Sequence, residues 1–517
     1  MVKLKIDNRQ ITATEGATIL EAARAAGIAI PAMCNNSDAG HFASCMVCLV
    51  SERNSGSMLP ACSAMAGGGM DIITSDPAIV ESRKMALELL LSEHIGDCEG
   101  PCRVSCPAGM DIPLMNTFLA AGMTDKALET VMNHIAFPSV LGRICPAPCE
   151  GACHRKGIDA PVAVCALKRF AGDNGKRTFT PSPARQGRVA IVGAGIAGLS
   201  AAYYLRLKGI SCELFDSSPL PGGALRYLAG EGKLDRKVLE EEISFILGSG
   251  VQFHPGTTVD KSRFTELALG YDAVVVATGN FSEDISHWGL TNNGKQVTVD
   301  KQSLQTSIAN VFAAGNVNRS TRLAVRSAGQ GREAACSIAR MLEGGEPAGQ
   351  RRFNSRVGRL RQSEHATFMK EASAVARLEP SNGRGYSPGE AASEAARCMH
   401  CECLKPEGCT LRDLAGRYGA SQRRFGYEER KTIKKNSEHD LLTHEPGKCI
   451  KCGICVRLSA GNGEKPGLAY LGRGYDVEIA VPFGESISGA IKKSGALLAQ
   501  SCPTGALSLK AGKIIKI

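Results

Sequence analysis

Cysteine is the residue type in this chain with the greatest capacity for chemistry, since 21 of the 517 residues are cysteines. All but Cys212 and Cys336 fall into groups with metal-ligand spacing. In a long chain without an export signal, such groups are more typical of metal or cluster ligands than of disulfides. The spacing therefore predicts several iron–sulfur clusters. Cys212 and Cys336 stand in apolar strand and helix patterns and are predicted to be core residues.

The first group lies in residues 1–78, where short strand-like runs flank one helical stretch from Thr18 to Ala26. Three thiolates in a loop plus one distant thiolate are typical of a [2Fe–2S] cluster. A zinc site is the alternative, which the asymmetric spacing disfavours. The segment resembles the N-terminal domain of the large iron–sulfur subunit of respiratory complex I and of iron-only hydrogenases, which implies a β-grasp ferredoxin fold. The predicted ligands are Cys34, Cys45, Cys48 and Cys62.

The second group lies in residues 79–179 and resembles the N-terminal domain of the glutamate synthase small subunit and of dihydropyrimidine dehydrogenase. That resemblance implies a helical domain with two [4Fe–4S] clusters and interleaved ligation. The family's usual first cysteine is missing, and a histidine stands nearby in a His-x3-Cys spacing similar to that of the histidine-ligated cluster of complex I. The implied ligands are His94, Cys98, Cys102 and Cys153 for one cluster, and Cys106, Cys145, Cys149 and Cys165 for the other.

Two residues of this region carry alternatives. For His94, the alternative to ligation is a surface histidine at a helix end. In relatives the last ligand is often glutamine or glutamate at the position of Lys168. Lysine is a poor ligand, and Cys165 can supply the thiolate from the same helix face.

A glycine-rich motif follows the linker 180–187. It reads Gly193-x-Gly195-x2-Gly198, comes directly after a strand pattern and opens a helix pattern. Its glycines allow a pyrophosphate to approach the helix N-terminus, and Asp216, about twenty residues on, can bond a ribose hydroxyl. The motif predicts a dinucleotide site.

Two further segments favour FAD over NAD. Pro221-Gly-Gly-Ala-Leu-Arg-Tyr and Phe-Ala-Ala-Gly-Asn resemble FAD-contacting segments of glutamate synthase small subunits. Asparagine stands where that family usually has aspartate. The resemblance adds these cofactor-binding residues: Gly222, Gly223, Arg226, Gly279, Gly315 and Asn316.

The relatives' second nucleotide domain, for NAD(P)H, has no room here. It lies between the strands that end at Gly279 and Gly315, which are joined here only by residues 280–314. One βαβ unit alone takes about 30 residues. A direct NAD(P)H route of the family type is therefore disfavoured.

Two more groups follow the flavin region. The basic, helix-patterned residues 346–440 contain four close cysteines, for which a [4Fe–4S] cluster leads over zinc or a partner-shared site: Cys398, Cys401, Cys403 and Cys409. The last group is ferredoxin-like and predicts one [4Fe–4S] cluster, held by Cys449, Cys452, Cys455 and Cys502. A second cluster is disfavoured because Ser459 replaces one of its cysteines and the other three are also absent. The Tyr470-Leu-Gly-Arg-Gly-Tyr segment again resembles complex I and hydrogenases.

Composition excludes several other classes. The net charge of +10 treats cysteines as neutral thiols, whereas ligation leaves each cluster near about −2, so nucleic-acid binding is disfavoured. A hydrophobic fraction of 43% is that of a globular protein. No apolar stretch suits a signal peptide or membrane-spanning helix. We expect a cytoplasmic protein without direct membrane insertion.

The expected fold class is a multidomain α/β and α+β protein. The predicted parts are a β-grasp [2Fe–2S] ferredoxin at 1–78, a helical double-[4Fe–4S] domain at 79–179, a Rossmann-like FAD domain at 184–345, a helical Cys-rich linker at 346–440 and a ferredoxin-like [4Fe–4S] domain at 441–517. The expected cofactors are FAD, one [2Fe–2S] and three to four [4Fe–4S] clusters.

The leading functional hypothesis is an electron-transfer subunit of an oxidoreductase complex, because flavin converts between one- and two-electron steps. Expected partners are a ferredoxin, an NAD(P)H-oxidising flavoprotein or a molybdenum/tungsten-type catalytic subunit. The alternatives are a self-contained flavin oxidoreductase of the glutamate synthase type and a non-catalytic iron–sulfur scaffold. No catalytic acid–base pair stands out.

Overall fold

The computed structural model describes residues 1–40, 42–349, 352–380, 384–426 and 430–510. The chain divides into two compact units. Unit 1 comprises Met1–Gly100, Arg352–Lys370 and Cys401–Ile517, and unit 2 comprises Pro101–Arg351 and Glu371–His400. Within the described ranges, no helix has the length and apolar character needed to cross a membrane.

The strands are β1 Val2–Ile6, β2 Arg9–Ala13, β3 Leu49–Glu52, β4 Met58–Pro60, β5 Asp71–Ile73, β6 Arg188–Val192, β7 Ser211–Phe215, β8 Gln252–His254, β9 Ala273–Val276, β10 Val311–Ala313, β11 Leu442–His444, β12 Ala469–Leu471, β13 Glu478–Ala480 and β14 Leu507–Leu509.

The helices are α1 Ile19–Ala25, α2 Pro77–Ser92, α3 Pro101–Ser105, α4 Ile112–Ala120, α5 Thr124–Met132, α6 Pro138–Ile144, α7 Pro148–Gly151, α8 Val164–Asn174, α9 Ile196–Leu207, α10 Ala224–Gly230, α11 Arg236–Leu247, α12 Lys261–Gly270, α13 Glu283–Ser286, α14 Ala324–Leu342, α15 Gln362–Met369, α16 Pro388–Ala395, α17 Thr410–Arg417, α18 Ile454–Gly461, α19 Ile487–Ala490 and α20 Gly495–Ser501.

Unit 1 begins with a five-stranded mixed sheet in the order β2-β1-β5-β3-β4. Its hairpin β1–β2 is antiparallel, whereas β1 and β5 are parallel. Alternating side chains of β1 and β2, such as Leu4 and Ile11, face a core completed by α1. Thr18 caps α1 through a reciprocal capping box with Glu21, which fixes where the helix begins. The helical stretch expected at 18–26 is therefore present.

The rest of unit 1 surrounds a second core. Antiparallel pairs β11–β14 and β12–β13 are joined by α18 and α20. Apolar residues of these elements and of α2 and α17, such as Leu87, Leu411 and Leu498, form this core, together with the loop of Cys34 and Cys45. Residues of three predicted cysteine groups therefore lie at one continuous core: Cys34 and Cys45, Cys409, and Cys452.

Unit 2 contains a five-stranded parallel sheet in the order β10-β9-β6-β7-β8. The near-continuous apolar strands, such as Ala273–Val276, are buried on both faces, as parallel sheets require. Helix α14 packs closely on α9, because Gly331 lies where a Cβ would be 2.2 Å from the Ala197 carbonyl oxygen. The fully described segment 280–314 contains the short helix α13 and the strand β10, with no βαβ unit.

The helical part of unit 2 is built on close backbone contacts. A Cβ at Gly142 of α6 would lie 2.7 Å from the Arg169 Cα of α8, so only glycine permits this approach. Glu242 of α11 holds the start of α6: its carboxylate accepts hydrogen bonds from the backbone N–H groups of Ser139 (2.7 Å) and Val140 (3.1 Å). These first N–H groups have no partner inside the helix. Burial raises the pKa of Glu242 to about 7.

Replacement of Glu242 by glutamine is expected to flatten the pH dependence of stability. The folded-state pKa of about 7 exceeds the ordinary 4.5, so between these values the folded chain keeps a proton that the unfolded chain has lost. Stability therefore falls as pH rises through this window, by on the order of 2–3 kcal/mol. Thermal unfolding midpoints from pH 5.5 to 8 test this, with the exposed Glu241→Gln as control. Parallel curves for wild type and Glu242→Gln would contradict it.

Candidate redox sites

The four cysteines of the N-terminal sheet domain converge in the structure. Cys45 and Cys48 stand just before β3, and Cys62 follows β4. The Cys48 and Cys62 sulfurs lie 3.1 Å apart, and sulfur hydrogen bonds join Cys34 to Cys45 and Cys62. The Cys62 hydrogen bond lowers the pKa of Cys48 to about 7. All four side chains are buried, so this group can hold a small thiolate-ligated cluster.

A second group lies in unit 2, where the ends of four helices meet. Cys106 follows α3, Cys145 ends α6, and Cys149 and Cys165 lie in α7 and α8. Sulfur hydrogen bonds link Cys165 to both Cys145 and Cys149. The sulfurs of all four cysteines favour the charged form of Lys168. The structure thus brings together the four residues that the sequence predicts for one [4Fe–4S] cluster.

Lys168 is the unexpected member of this site. Its side chain is only 3% exposed, and its Nζ lies 3.9 Å from Cys165 Sγ. Burial opposes its charge, but the surrounding sulfurs outweigh burial and raise the pKa of Lys168 above its usual value. A buried cation facing four sulfurs fits a site for a negatively charged cluster.

A third group lies in unit 1 and combines cysteines from two of the predicted groups. Cys98 and Cys403 both act on the charge of the buried Lys448, and Cys409 interacts with these two cysteines. The Cys403 N–H lies 3.4 Å from the Cys98 carbonyl oxygen. The sequence instead predicted Cys98 with Cys102 and Cys153. The predicted ligand set of His94, Cys98, Cys102 and Cys153 stays a prediction.

Two glycines make room for this third group. A Cβ at Gly505 would lie 2.2 Å from Cys403 Sγ, and one at Gly96 would lie 2.4 Å from Lys448 Cε. The lysine stem therefore crosses directly over the backbone between His94 and Cys98. Lys448 Nζ ends 2.6 Å from a carboxylate oxygen of Glu445.

His94 adjoins the same lysine. Its Nδ1 is buried without a hydrogen-bond partner, and its ring interacts with the Lys448 backbone. Burial, followed by the Lys448 charge, lowers the pKa of His94 to about 4. A neutral imidazole with one unsatisfied nitrogen is the form that ligates metal, commonly with its other nitrogen bonded to a backbone carbonyl. The residue thus fits a ligand better than a solvated surface histidine.

The C-terminal cysteines line one small cavity, which lies between the loop before α18 and the end of α20. Burial raises the pKa of Cys449 to about 12 and that of Cys452 to about 11. Ser459, at the lost fourth position, is fully buried. Its hydroxyl donates to the Val456 carbonyl and accepts from the Leu468 N–H. That position is therefore occupied by structural hydrogen bonds. The four lining cysteines are Cys449, Cys452, Cys455 and Cys502.

Six cysteines lie outside these four groups. Cys102 lies in α3, Cys153 follows α7, Cys398 follows α16, and Cys401 begins the return to unit 1. Cys212 and Cys336 are buried in β7 and α14, as predicted for core residues. Among the residues that the structure describes, no three His, Cys, Asp or Glu side chains are arranged around a single metal ion.

The glycine-rich motif forms the turn from β6 into α9. Gly193 has φ +108°, and a Cβ there would lie 2.4 Å from the Ala277 carbonyl oxygen. A Cβ at Gly198 would lie 1.9 Å from the Gly193 oxygen, so both glycines are required by the protein backbone itself. A Cβ at Gly195 would meet no protein atom within 4 Å. Open space at the start of α9 fits a bound pyrophosphate.

Asp216 directly follows β7, and its carboxylate accepts hydrogen bonds from the Ala194 N–H (2.6 Å) and the Ser218 N–H (2.8 Å). The carboxylate therefore fixes the turn at Ala194. Gly222 and Gly223 both have positive φ, and Gly223 lies against Gly195. The two predicted glycine segments thus meet.

The other predicted flavin residues have protein partners. Arg226 forms an ion pair with Glu240 at 2.8 Å. Asn316 donates to the Asn280 side chain at 3.2 Å, next to Gly279. The Gly315 N–H donates a hydrogen bond to the side chain of Gln330 on α14. The sequence analysis did not identify Gln330.

Lys448 was also missed by the sequence reasoning. The sequence feature that could have identified it is its place directly before the first cysteine of the C-terminal group.

Three consecutive regions match models of known families. Residues 1–77 match the 2Fe-2S iron-sulfur cluster binding domain. Residues 93–179 match the dihydropyrimidine dehydrogenase domain II, 4Fe-4S cluster. Residues 191–238 match the NAD(P)-binding Rossmann-like domain. This order, with the parallel sheet of unit 2, confirms the predicted multidomain α/β fold class.

Curated relatives match parts of the chain. The NADPH-Fe(3+) oxidoreductase subunit beta of Geobacter sulfurreducens is 36% identical over 35% of this chain and 28% of its own length. The NADP(+)-dependent formate dehydrogenase subunit beta of Moorella thermoacetica is 33% identical over 42% of this chain and 36% of its own. The glutamate synthase [NADPH] small chain of Bacillus subtilis is 32% identical over 39% and 42%, respectively.

This chain therefore spans less than half the length of each of these relatives. All three are named as subunits or chains of oxidoreductases. The resemblance to the glutamate synthase small subunit is confirmed, and the chain carries 2Fe–2S, 4Fe–4S and Rossmann-like domains in that order.

Proposed function

We propose that this protein is an FAD- and iron–sulfur-containing electron-transfer subunit of a cytoplasmic oxidoreductase complex. It relays electrons between a ferredoxin or NAD(P)H-oxidising partner and a catalytic subunit, for example one of the molybdenum/tungsten type. The observation that carries the proposal is that four separate cysteine groups and one dinucleotide turn occur in a single chain. Flavin exchanges two electrons and clusters exchange one, so this combination suits a relay.

The cluster assignment follows the convergence of side chains. The N-terminal group would hold one [2Fe–2S] cluster, and the unit 2 group and the C-terminal group one [4Fe–4S] cluster each. The third group would hold a further [4Fe–4S] cluster through three cysteines and His94: Cys98, Cys403 and Cys409. Cys102, Cys153, Cys398 and Cys401 remain candidate cluster ligands. The proposed total is three to four [4Fe–4S] clusters.

In the proposed FAD site, residues of the protein bind and orient the cofactor. The N-terminus of α9 would take the pyrophosphate, with space left by Gly195. Asp216 would bond the ribose while holding the turn at Ala194. FAD supplies reversible two-electron chemistry when bound. The fully described segment 280–314 contains no second βαβ unit, which supports reduction through a partner rather than by a nucleotide bound to this chain.

The proposal is tested on the full chain purified without oxygen. We expect one FAD and about 14–18 irons per chain, and no bleaching of the flavin by NADH or NADPH alone. Addition of a reduced ferredoxin should bleach the flavin. Rapid bleaching by either nucleotide would instead support the self-contained enzyme of the glutamate synthase type. Absence of bound flavin and iron would contradict both.

A further inference from the structure

We infer that the buried ammonium of Lys168 hydrogen-bonds the ligand sulfur of Cys165 and raises the reduction potential of the cluster held in unit 2. This inference rests on the cluster assignment proposed above. It adds a role for a residue that is itself not a ligand, at the position where relatives often have one.

The geometry is set by α8. Cys165 and Lys168 are three residues apart, which places both side chains on one face of the helix. Lys168 Nζ lies 3.9 Å from Cys165 Sγ, within reach of an N–H···S hydrogen bond. The other sulfurs around the ammonium belong to Cys106, Cys145 and Cys149.

The charge of Lys168 has no carboxylate partner. Within the described part of the chain, Lys168 forms no ion pair. The nearby acids are used elsewhere: Glu150 accepts from the Cys165 N–H and pairs with Arg377, and Asp173 pairs with Arg143. A cation that is 97% buried is costly unless an anion faces it. The thiolate-bound cluster is the anion that this site can supply.

The direction of the effect follows from charge. Reduction adds one electron, and therefore one negative charge, next to the ammonium. Lys168 stabilises the reduced form more than the oxidised form, which raises the potential. Charge-assisted hydrogen bonds are stronger than neutral ones. We therefore expect at least about a tenfold change in the reduction equilibrium constant, or about 59 mV for one electron.

The test is an EPR-monitored redox titration of the full chain with its cofactors. The signal of this cluster is identified as the one lost in Cys149→Ala. In Lys168→Met its midpoint should fall by at least about 59 mV, while Lys168→Arg, which keeps the charge, should stay near wild type. Lys261→Met removes a charge from an exposed site in the same unit and should change nothing.

Each result decides between a charge role and a packing role. An unchanged midpoint in Lys168→Met with full iron content would overturn the inference. Loss of about four irons in Lys168→Met but not in Lys168→Arg would support it, because the charge would then be needed to hold the cluster. The same loss in both variants would show a packing role and overturn it. If wild type has no cluster signal that depends on Cys149, the cluster assignment itself fails.

Discussion

Replacement of Gly195 by valine is expected to remove flavin from the purified chain and to leave its folding unchanged. A Cβ at this position meets no protein atom within 4 Å, so the added side chain would extend into space reserved for the nucleotide. The pyrophosphate must approach this backbone closely, and a side chain here blocks it. We expect the ratio of flavin to protein to fall at least about tenfold, which corresponds to about 1.4 kcal/mol of binding. Flavin absorbance after denaturation measures the ratio, and thermal unfolding measures stability.

Gly198→Ala is the informative contrast, because its Cβ would lie 1.9 Å from the Gly193 carbonyl oxygen. That variant should lose both flavin and thermal stability. Gly230→Ala, at the open end of α10, should lose neither. Full flavin retention in Gly195→Val would mean that the nucleotide does not lie over this turn.

The second large effect is expected in the iron content of variants in which cysteines far apart in sequence are replaced. Cys98→Ala and Cys409→Ala should each lose about four irons, and the double variant should lose no more than either single variant, because both residues serve one cluster. In the structure, Cys409 interacts electrostatically with Cys98 and Cys403. Iron assays on anaerobically purified chains provide the measurement.

Matched pairs separate this grouping from the one expected from sequence. Cys98→Ala combined with Cys149→Ala should lose about eight irons, since these residues belong to different groups. Cys212→Ala, in the core of β7, should lose none. A loss of about eight irons in the Cys98/Cys409 double variant would place these two residues on separate clusters and refute the grouping.

Sequence reasoning predicted the sites whose parts are local or follow a known spacing. The turn at Gly193–Gly198, the parallel sheet and the convergence of Cys106, Cys145, Cys149 and Cys165 follow from strand–turn–helix patterning and family resemblance. That the connection 280–314 is too short for a second nucleotide domain was likewise predictable, because chain length alone limits what it can form.

Sequence reasoning did not predict that Cys403 lies close to Cys98, about 300 residues earlier in the chain. The resemblance to the glutamate synthase small subunit implies one cluster for Cys98 and Cys102, and this stays a prediction. The approach of Cys403 to Cys98 depends on where residues 401–409 return to unit 1, and no local propensity encodes that return. The sequence identified Lys168 as a poor ligand. It did not show that Lys168 is buried without an ion pair in the described part of the chain, because this depends on which residues pair with the neighbouring carboxylates.

The division of unit 1 into three chain segments has a consequence for biosynthesis. Cys98 leaves the ribosome long before Cys403 and Cys409, because about 300 residues must be translated in between. At about 5–20 residues per second, that interval is about 15–60 s. The bulk of unit 2, Pro101–Arg351, emerges during the wait. Maturation of the Cys98 group is therefore expected to be a late, nearly post-translational event that follows the folding of unit 2.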